Sequence, residues 1–143
     1  MKTQEEIILQ LKEKGYRSSN ARNILLEAVY ESREPLSVAD FQKIFAKRKV
    51  KVNRTTIYRE LNLLKKESVL IELQLKDGKR RYELEDRAHH HHIVCIRCQK
   101  VEDVMVCHTR TLIGKVLKQA KNFSEIVNHT SDFFGLCKKC VKS

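Results

Sequence analysis

The sequence predicts an α+β chain built from two successive modules, and three observations predict it. Four segments with helical apolar spacing occupy residues 4–67, and two strand-like runs joined by Asp77-Gly78 follow them. The pattern breaks around 85–88, then resumes as short strands about one more helix. All five cysteines lie beyond that break, and four of them form two C-x-x-C pairs, CIRC and CKKC. The boundaries are therefore 1–86 for the first module and 87–143 for the second.

Each element has a local reason. Ile7, Ile8 and Leu11 share a helical face over 4–14, and Gly15 is a suitable stop. Ser18 or Ser19 caps a second helix that runs to about Ser32 and turns Ile24, Leu25, Ala28 and Val29 inward. Ser37-Val38-Ala39-Asp40 is an acidic variant of the capping box and opens a third helix with Phe41, Ile44 and Phe45 apolar. Asn53 caps a fourth, roughly 54–67. VLIELQL (69–75) and Lys79 to Leu84 read as strands on either side of a hairpin turn. Helices followed by a basic-flanked hairpin make a winged helix. In the second module HIVCI and VEDVMV read as strands, and 110–121 as a helix with Leu112, Ile113, Val116 and Leu117 apolar. The stretch from Glu125 to Phe134 reads as a further strand.

Composition narrows the function. The 143 residues include 29 Lys and Arg against 18 Asp and Glu, a net charge of +11. With 41% hydrophobic and 33% charged residues the chain is globular rather than disordered. No apolar run is long enough for a bilayer. The charged, amphipathic N-terminus lacks the apolar stretch of a signal peptide, so a cytoplasmic protein is expected.

The basic excess is spread over both modules: 19 basic and 14 acidic residues in 1–86, 10 and 4 in 87–143. It peaks at 41–59, with seven basic residues and no acidic one, a composition suited to nucleic acid. With Arg54 at zero and about 100° per residue, Tyr58, Asn62, Thr55 and Arg59 fall between about 40° and 140°. Leu64, Ile57 and Leu61 fall between about 280° and 340°. One face thus packs, and the other offers donors and an aromatic ring to a major groove. The candidate DNA-binding residues are Arg17, Arg22, Lys49, Lys51, Arg54, Thr55, Thr56, Tyr58 and Arg59.

Cys95, Cys98, Cys137 and Cys140 supply four thiolates, the tetrahedral set of a structural zinc; an iron–sulfur cluster is the alternative. Just upstream lies His89-His90-His91-His92. On an extended chain, alternate residues share a face, so His90 and His92 point one way and His89 and His91 the other. Glu72, Glu83, Glu85, Asp86 and Asp103 are the carboxylates at hand, and nitrogen with oxygen suits zinc, iron or manganese in a replaceable site. Cys107 reads as a small buried hydrophobe, His108 as a surface residue, and neither is assigned to a site.

The pieces RSSNARNILLEAV, NRTTIYRELNLL, RRYEL, HHHHIVCIRCQKV and NHTSDFFGLCKKC occur in this order over nearly the whole chain. In them the chain resembles the ferric uptake regulator (Fur) family of bacterial metal-dependent repressors. The resemblance implies a winged-helix DNA-binding domain, a hinge, and a small α/β zinc-containing dimerisation domain. It implies a homodimer on palindromic operator DNA whose affinity a corepressor metal raises. Tyr58-Arg59 match the family's DNA-contacting pair, and the four knuckle cysteines match its structural zinc. Glu83, His90 and His92 match its regulatory site, and Glu72 matches a wing carboxylate of the zinc-sensing branch. His89, His91 and His129 match a third site whose usual Glu falls on Arg110. Asp103 matches an aspartate used by the peroxide-sensing branch. The His that many members carry before the third helix is absent from Glu34-Pro35-Leu36-Ser37.

The expected function is a metal-responsive repressor of metal-homeostasis genes. It carries structural Zn2+ and a regulatory Zn2+ or Fe2+, with Mn2+ also suited. The regulatory ligands are Glu72, Glu83, His90 and His92, and a further set is His89, His91, Asp103 and His129. The partners are double-stranded DNA and a second copy, with no membrane and no small-molecule substrate. No general base or substrate pocket signals an enzyme. The alternatives are a peroxide sensor of the same family and a zinc-ribbon nucleic-acid protein without sensing.

Overall fold

The structure is a computed structural model and describes residues 1–143 except Lys76, Ala88, His89, 106–108, Asn128 and Thr130, and the side chains of Thr109 and Arg110. His89, Cys107 and His108 therefore lie outside the described residues. The chain divides into two compact units, Met1–Ala88 and His89–Ser143.

The first unit is a winged helix. It comprises α1 (Gln4–Glu13), α2 (Asn20–Glu31), β1 (Leu36–Ser37), α3 (Val38–Lys47), α4 (Arg54–Lys66), β2 (Leu70–Gln74) and β3 (Arg80–Leu84). Side-chain caps set the helix starts: Thr3 with Glu6, Ser19, Ser37 with Asp40, and Asn53, whose Oδ1 accepts the Thr56 N–H at 2.7 Å. Gly15 leaves α1 at φ 88°, and Lys49 ends α3 at φ 57° although it has a Cβ. The Val50 N–H bonds to the Phe45 carbonyl across that turn, which offsets the cost of the left-handed residue.

Leu25, Leu26, Phe41, Ile57, Leu61 and Leu64 are fully buried where α2, α3 and α4 meet. Each contributes about 1.5–3 kcal/mol by leaving water. The antiparallel sheet, in order β1-β3-β2, closes this core from one side with Leu70, Tyr82 and Leu84. Strand β1 was not anticipated; Leu36 pairs with Tyr82 and Ser37 with Arg81 just before Ser37 caps α3. The hairpin loop is also longer than a two-residue turn, because the last pair is Gln74 with Arg80. Asp77 explains the extra length. Its carboxylate accepts the Lys79 N–H at 3.0 Å and both terminal nitrogens of Arg81, at 3.0 and 2.6 Å.

The second unit comprises β4 (His91–Cys95), β5 (Val101–Val104), α5 (Thr109–Gln119), β6 (Asp132–Gly135) and α6 (Lys138–Val141). Its sheet has the order β5-β4-β6, with β4 antiparallel to β5 and parallel to β6. The strand expected over 125–134 is shorter and later. The β4–β6 ladder begins with His92 paired to Asp132, one residue into β4. Among the described residues no helix is long and apolar enough to cross a membrane.

Candidate metal centres and nucleic-acid interface

The end of β4 and the start of α6 bring the two knuckles together. One ligand atom from each of Cys95, Cys98, Cys137 and Cys140 lies within 4.8 Å of the others, and Cys98 Sγ is 3.7 Å from Cys137 Sγ. Zinc–sulfur bonds of about 2.3 Å in a tetrahedron put the sulfurs about 3.8 Å apart, so the donor set fits zinc. The backbone shapes the first knuckle: Cys95 N–H bonds to Lys100 O and Gln99 N–H to Cys95 O, both at 2.9 Å, with Gln99 at φ 63°.

Electrostatics agree with a cation-demanding cage. N–H groups of Cys98 and Cys137 aimed at its sulfur lower Cys95 to about 6. Cys137 is lowered in the same way by the Cys140 N–H. The hydrogen bond to Cys137, and then burial, push Cys140 up to about 12. Cys95 and Cys137 are thus biased toward the thiolate and Cys140 away from it, a difference that a cation among the sulfurs would offset. The cysteines are free thiols in the structure.

Alternation along β4 separates the histidines. His90 and His92 approach edge to face with centroids 4.9 Å apart. His91 instead meets His129 at 5.4 Å, and its Nδ1 lies 3.0 Å from the Ser131 carbonyl oxygen. His92 is buried between two carboxylates: Nε2 is 3.6 Å from Asp103 Oδ1, and Nδ1 is 3.7 Å from Asp132 Oδ1. Nitrogen and carboxylate oxygen without sulfur fit a divalent first-row cation. Asp103, grouped from sequence with His91 and His129, belongs on the other face, because it pairs in register with His92 while His91 pairs with Val104.

The wing carboxylates need a second correction. Glu83 pairs in register with Ile71, whereas Glu72 pairs with Tyr82. Glu72 therefore shares the sheet face of Tyr82, and Glu83 lies on the opposite one. Glu72 is held by Lys65 and by Arg80 at 3.5 Å, while Glu83 meets Arg87 at 3.4 Å. One ion cannot take both carboxylates, so Glu72 leaves the regulatory set.

Helix α4 buries Ile57, Leu61 and Leu64 and exposes Arg54, Thr55 and Arg59. Tyr58 is half-buried, packed on the core and under the Arg54 guanidinium at 5.7 Å. Thr56 is half-buried, and Arg17, Lys49 and Lys51 are exposed. Arg22 does not face solvent. It is 7% exposed, its Nε donates to Glu60 Oε2 at 2.8 Å, and its Nη1 donates to the Arg17 carbonyl at 2.9 Å. Arg22 thus fixes α4 to α2 and is removed from the DNA-contacting set.

This combination of fold and donors has a counterpart in sequence space: a profile of the Ferric uptake regulator family matches residues 13–132. The chain belongs to that family. The ferric uptake regulation protein of Neisseria gonorrhoeae is 31% identical over 134 residues, covering 93% of this chain and 92% of that protein. That of Helicobacter pylori is 26% identical over 139 residues, covering 97% and 91%. The solved H. pylori ferric uptake regulator Fur, described with three functional metal binding sites, superposes with a TM-score of 0.82 at 28% identity, over 97% of this chain and 91% of that one.

Three site-shaping residues escaped the sequence reading. Glu60 lies at the edge of the apolar face of α4 and, as a charged residue on a helix, looks like a surface residue. Tyr16, with Lys14, holds Glu67 at the C-cap of α4, its hydroxyl donating to Oε1 at 2.7 Å. Asp132 lies one strand away from His92, and only the parallel register reveals the approach.

Proposed function

We propose that this Fur-family chain is a metal-responsive transcriptional repressor that binds operator DNA as a homodimer when its histidine site holds a divalent cation. The supporting observation is His92, buried between carboxylates on the strand that ends in the cysteine cage. A zinc ribbon whose only task is to hold DNA has no use for a second donor set there. Zinc at the four cysteines is structural. At the histidines Fe2+, Zn2+ and Mn2+ all suit the nitrogen and oxygen donors, and the names of the relatives favour iron.

A bound divalent cation supplies positive charge and a fixed coordination geometry. His90, His92 and Asp103 of the second unit would hold that cation, with the wing carboxylate Glu83 as the proposed further ligand. Binding would favour the conformer that the operator half-sites require, so metal would act through differential affinity for that conformer. Arg54, Thr55, Tyr58 and Arg59 read and grip the duplex, while Arg17, Lys49 and Lys51 neutralise phosphates. The apolar side chains that α5 and β6 leave in water, Leu112, Val116 and Phe133 among them, are covered by the second copy. The protein works in the cytoplasm, where its cysteines stay reduced.

The test is an operator-binding isotherm with and without excess Fe2+, Zn2+ or Mn2+. His90→Ala/His92→Ala keeps its cysteine zinc and its dimer, yet stays at the weak, metal-free affinity. A parent protein without metal response leaves the plain zinc-ribbon DNA binder. Asp103 beside His92 also favours a peroxide-sensing reading. Hydrogen peroxide treatment of the iron-loaded protein, followed by the same isotherm, separates the two.

A further inference from the structure

We infer that Asp132 is the positioning carboxylate of the histidine site: it takes the Nδ1–H of His92 and so holds the ring with Nε2 toward Asp103 and an incoming divalent cation. The inference rests on the metal-site reading above and adds a residue to it. Strand β4 is the middle strand of its sheet, and His92 pairs with Asp103 on one side and Asp132 on the other. Directly paired residues share a sheet face, so the two carboxylates flank one imidazole from opposite edges. The two ring nitrogens are divided between them: Nε2 lies 3.6 Å from Asp103 and Nδ1 lies 3.7 Å from Asp132.

A neutral imidazole ligates through one nitrogen and carries its proton on the other. A carboxylate at the protonated nitrogen fixes the tautomer and raises the basicity of the ligating one. At 3.7 Å the Asp132 oxygen is just beyond direct hydrogen-bond reach. Its side chain is 36% exposed against 6% for His92, so the aspartate is the partner with room to rotate and close the gap.

An alternative role for Asp132 is a charge that keeps an edge strand soluble. That role needs no particular register, whereas the observed register puts Asp132 opposite the one buried histidine that also meets Asp103. The placement also couples the two centres. Asp132 opens β6, and the same segment runs through Gly135 to Cys137 of the thiolate cage, so the cage fixes the strand that orients His92.

The probe is cobalt(II), titrated into the full-length, zinc-containing protein in competition with a chromophoric chelator. Asp132→Asn is expected to weaken cobalt binding about 10- to 100-fold while keeping one zinc per chain and the parent's d–d spectrum. Asp103→Asn, which removes a ligand oxygen, should weaken binding and change the spectrum. Equal cobalt affinity in Asp132→Asn and the parent overturns the proposal. A changed spectrum in Asp132→Asn makes Asp132 a ligand and overturns its positioning role. If the parent takes up no ion at the histidines, the metal-site reading falls and this one with it. Operator binding is measured separately, so failure of the repressor reading alone leaves the cobalt result standing. A further measurement needs no variant: in the zinc-loaded parent the His92 Nδ1–H resonance should be downfield and slow to exchange, and its absence overturns the assignment.

Discussion

The two units solve the problem of a small core in different ways. The winged helix gathers sixteen buried apolar residues, from Ile7 to Leu84, into one cluster. In the second unit the described buried apolar residues are Val94, Cys95, Val101 and Cys140, and two of these are thiols of the cage. The exposed side is reversed. Met1 and Leu9 are the large apolar side chains exposed in the first unit, whereas Ile93, Ile96, Met105, Leu112, Val116, Phe133, Phe134 and others are exposed in the second. The reading head therefore carries its stability within itself. On the proposed reading the second unit would draw its stability from a metal and from whatever covers its apolar face, so its structure could respond to both.

The largest expected effect breaks the second unit and spares the first. Zinc in a small thiolate site contributes about 10–16 kcal/mol of apparent binding free energy, most of it folding energy. Cys98→Ser should lose the zinc and collapse the second unit and the dimer. Two-dimensional amide spectra should keep dispersed signals for residues of α1 to β3 while those of β4 to α6 move to unfolded positions. A variant with full zinc content and a folded second unit would remove the cysteines from the structural role.

A middle-sized effect works the other way round. The Arg22–Glu60 pair is nearly buried, with side-chain exposures of 9% and 10%, and Ser19 Oγ adds a bond to Glu60 at 3.3 Å. Glu60→Ala strands a buried guanidinium and should destabilise the first unit by about 3–5 kcal/mol. Zinc content and dimerisation should not change. Arg22→Met/Glu60→Leu fills the same space without charge and should recover most of that stability, measured by urea unfolding followed through α4. Loss of zinc in Glu60→Ala would show that the two units are not energetically separate.

The sequence was most legible where one periodic face meets one core. The inward positions of α2, α3 and α4 follow from 3.6-residue spacing, and Ser19, Ser37 and Asn53 announce their helices because a cap needs only local hydrogen bonds. The thiolate cage was legible because C-x-x-C carries its geometry in its spacing. Pairing between distant strands was not. That Glu72 and Glu83 lie on opposite faces, and that Asp103 belongs with His92, depends on register, and register is set by packing along the whole sheet. Arg22 was misread for a related reason. A charged residue on a helix looks solvent-facing until the helix that brings its counter-charge, here α4 with Glu60, is in place.

The smallest expected effect concerns affinity alone and sharpens the contrast within the reading head. Arg59 is exposed on α4, beyond the buried positions Ile57 and Leu61, so its removal should leave the stability of both units unchanged within error. On the proposed reading its value would lie in contact with a base edge or phosphate, where the loss of a good base contact costs about 1–3 kcal/mol. Arg59→Ala should therefore weaken operator binding about tenfold or more while unfolding, zinc content and dimerisation stay as in the parent. Lys49→Gln/Lys51→Gln acts before the helix, at exposed positions suited to phosphates. It should weaken binding to operator and unrelated DNA alike and reduce the slope of affinity against salt. The ratio of operator to unrelated-DNA affinity, measured across a salt series, separates the two. If Arg59→Ala leaves that ratio unchanged and the lysine pair alters it, the base-reading surface is the turn before α4 rather than the face that carries Tyr58 and Arg59.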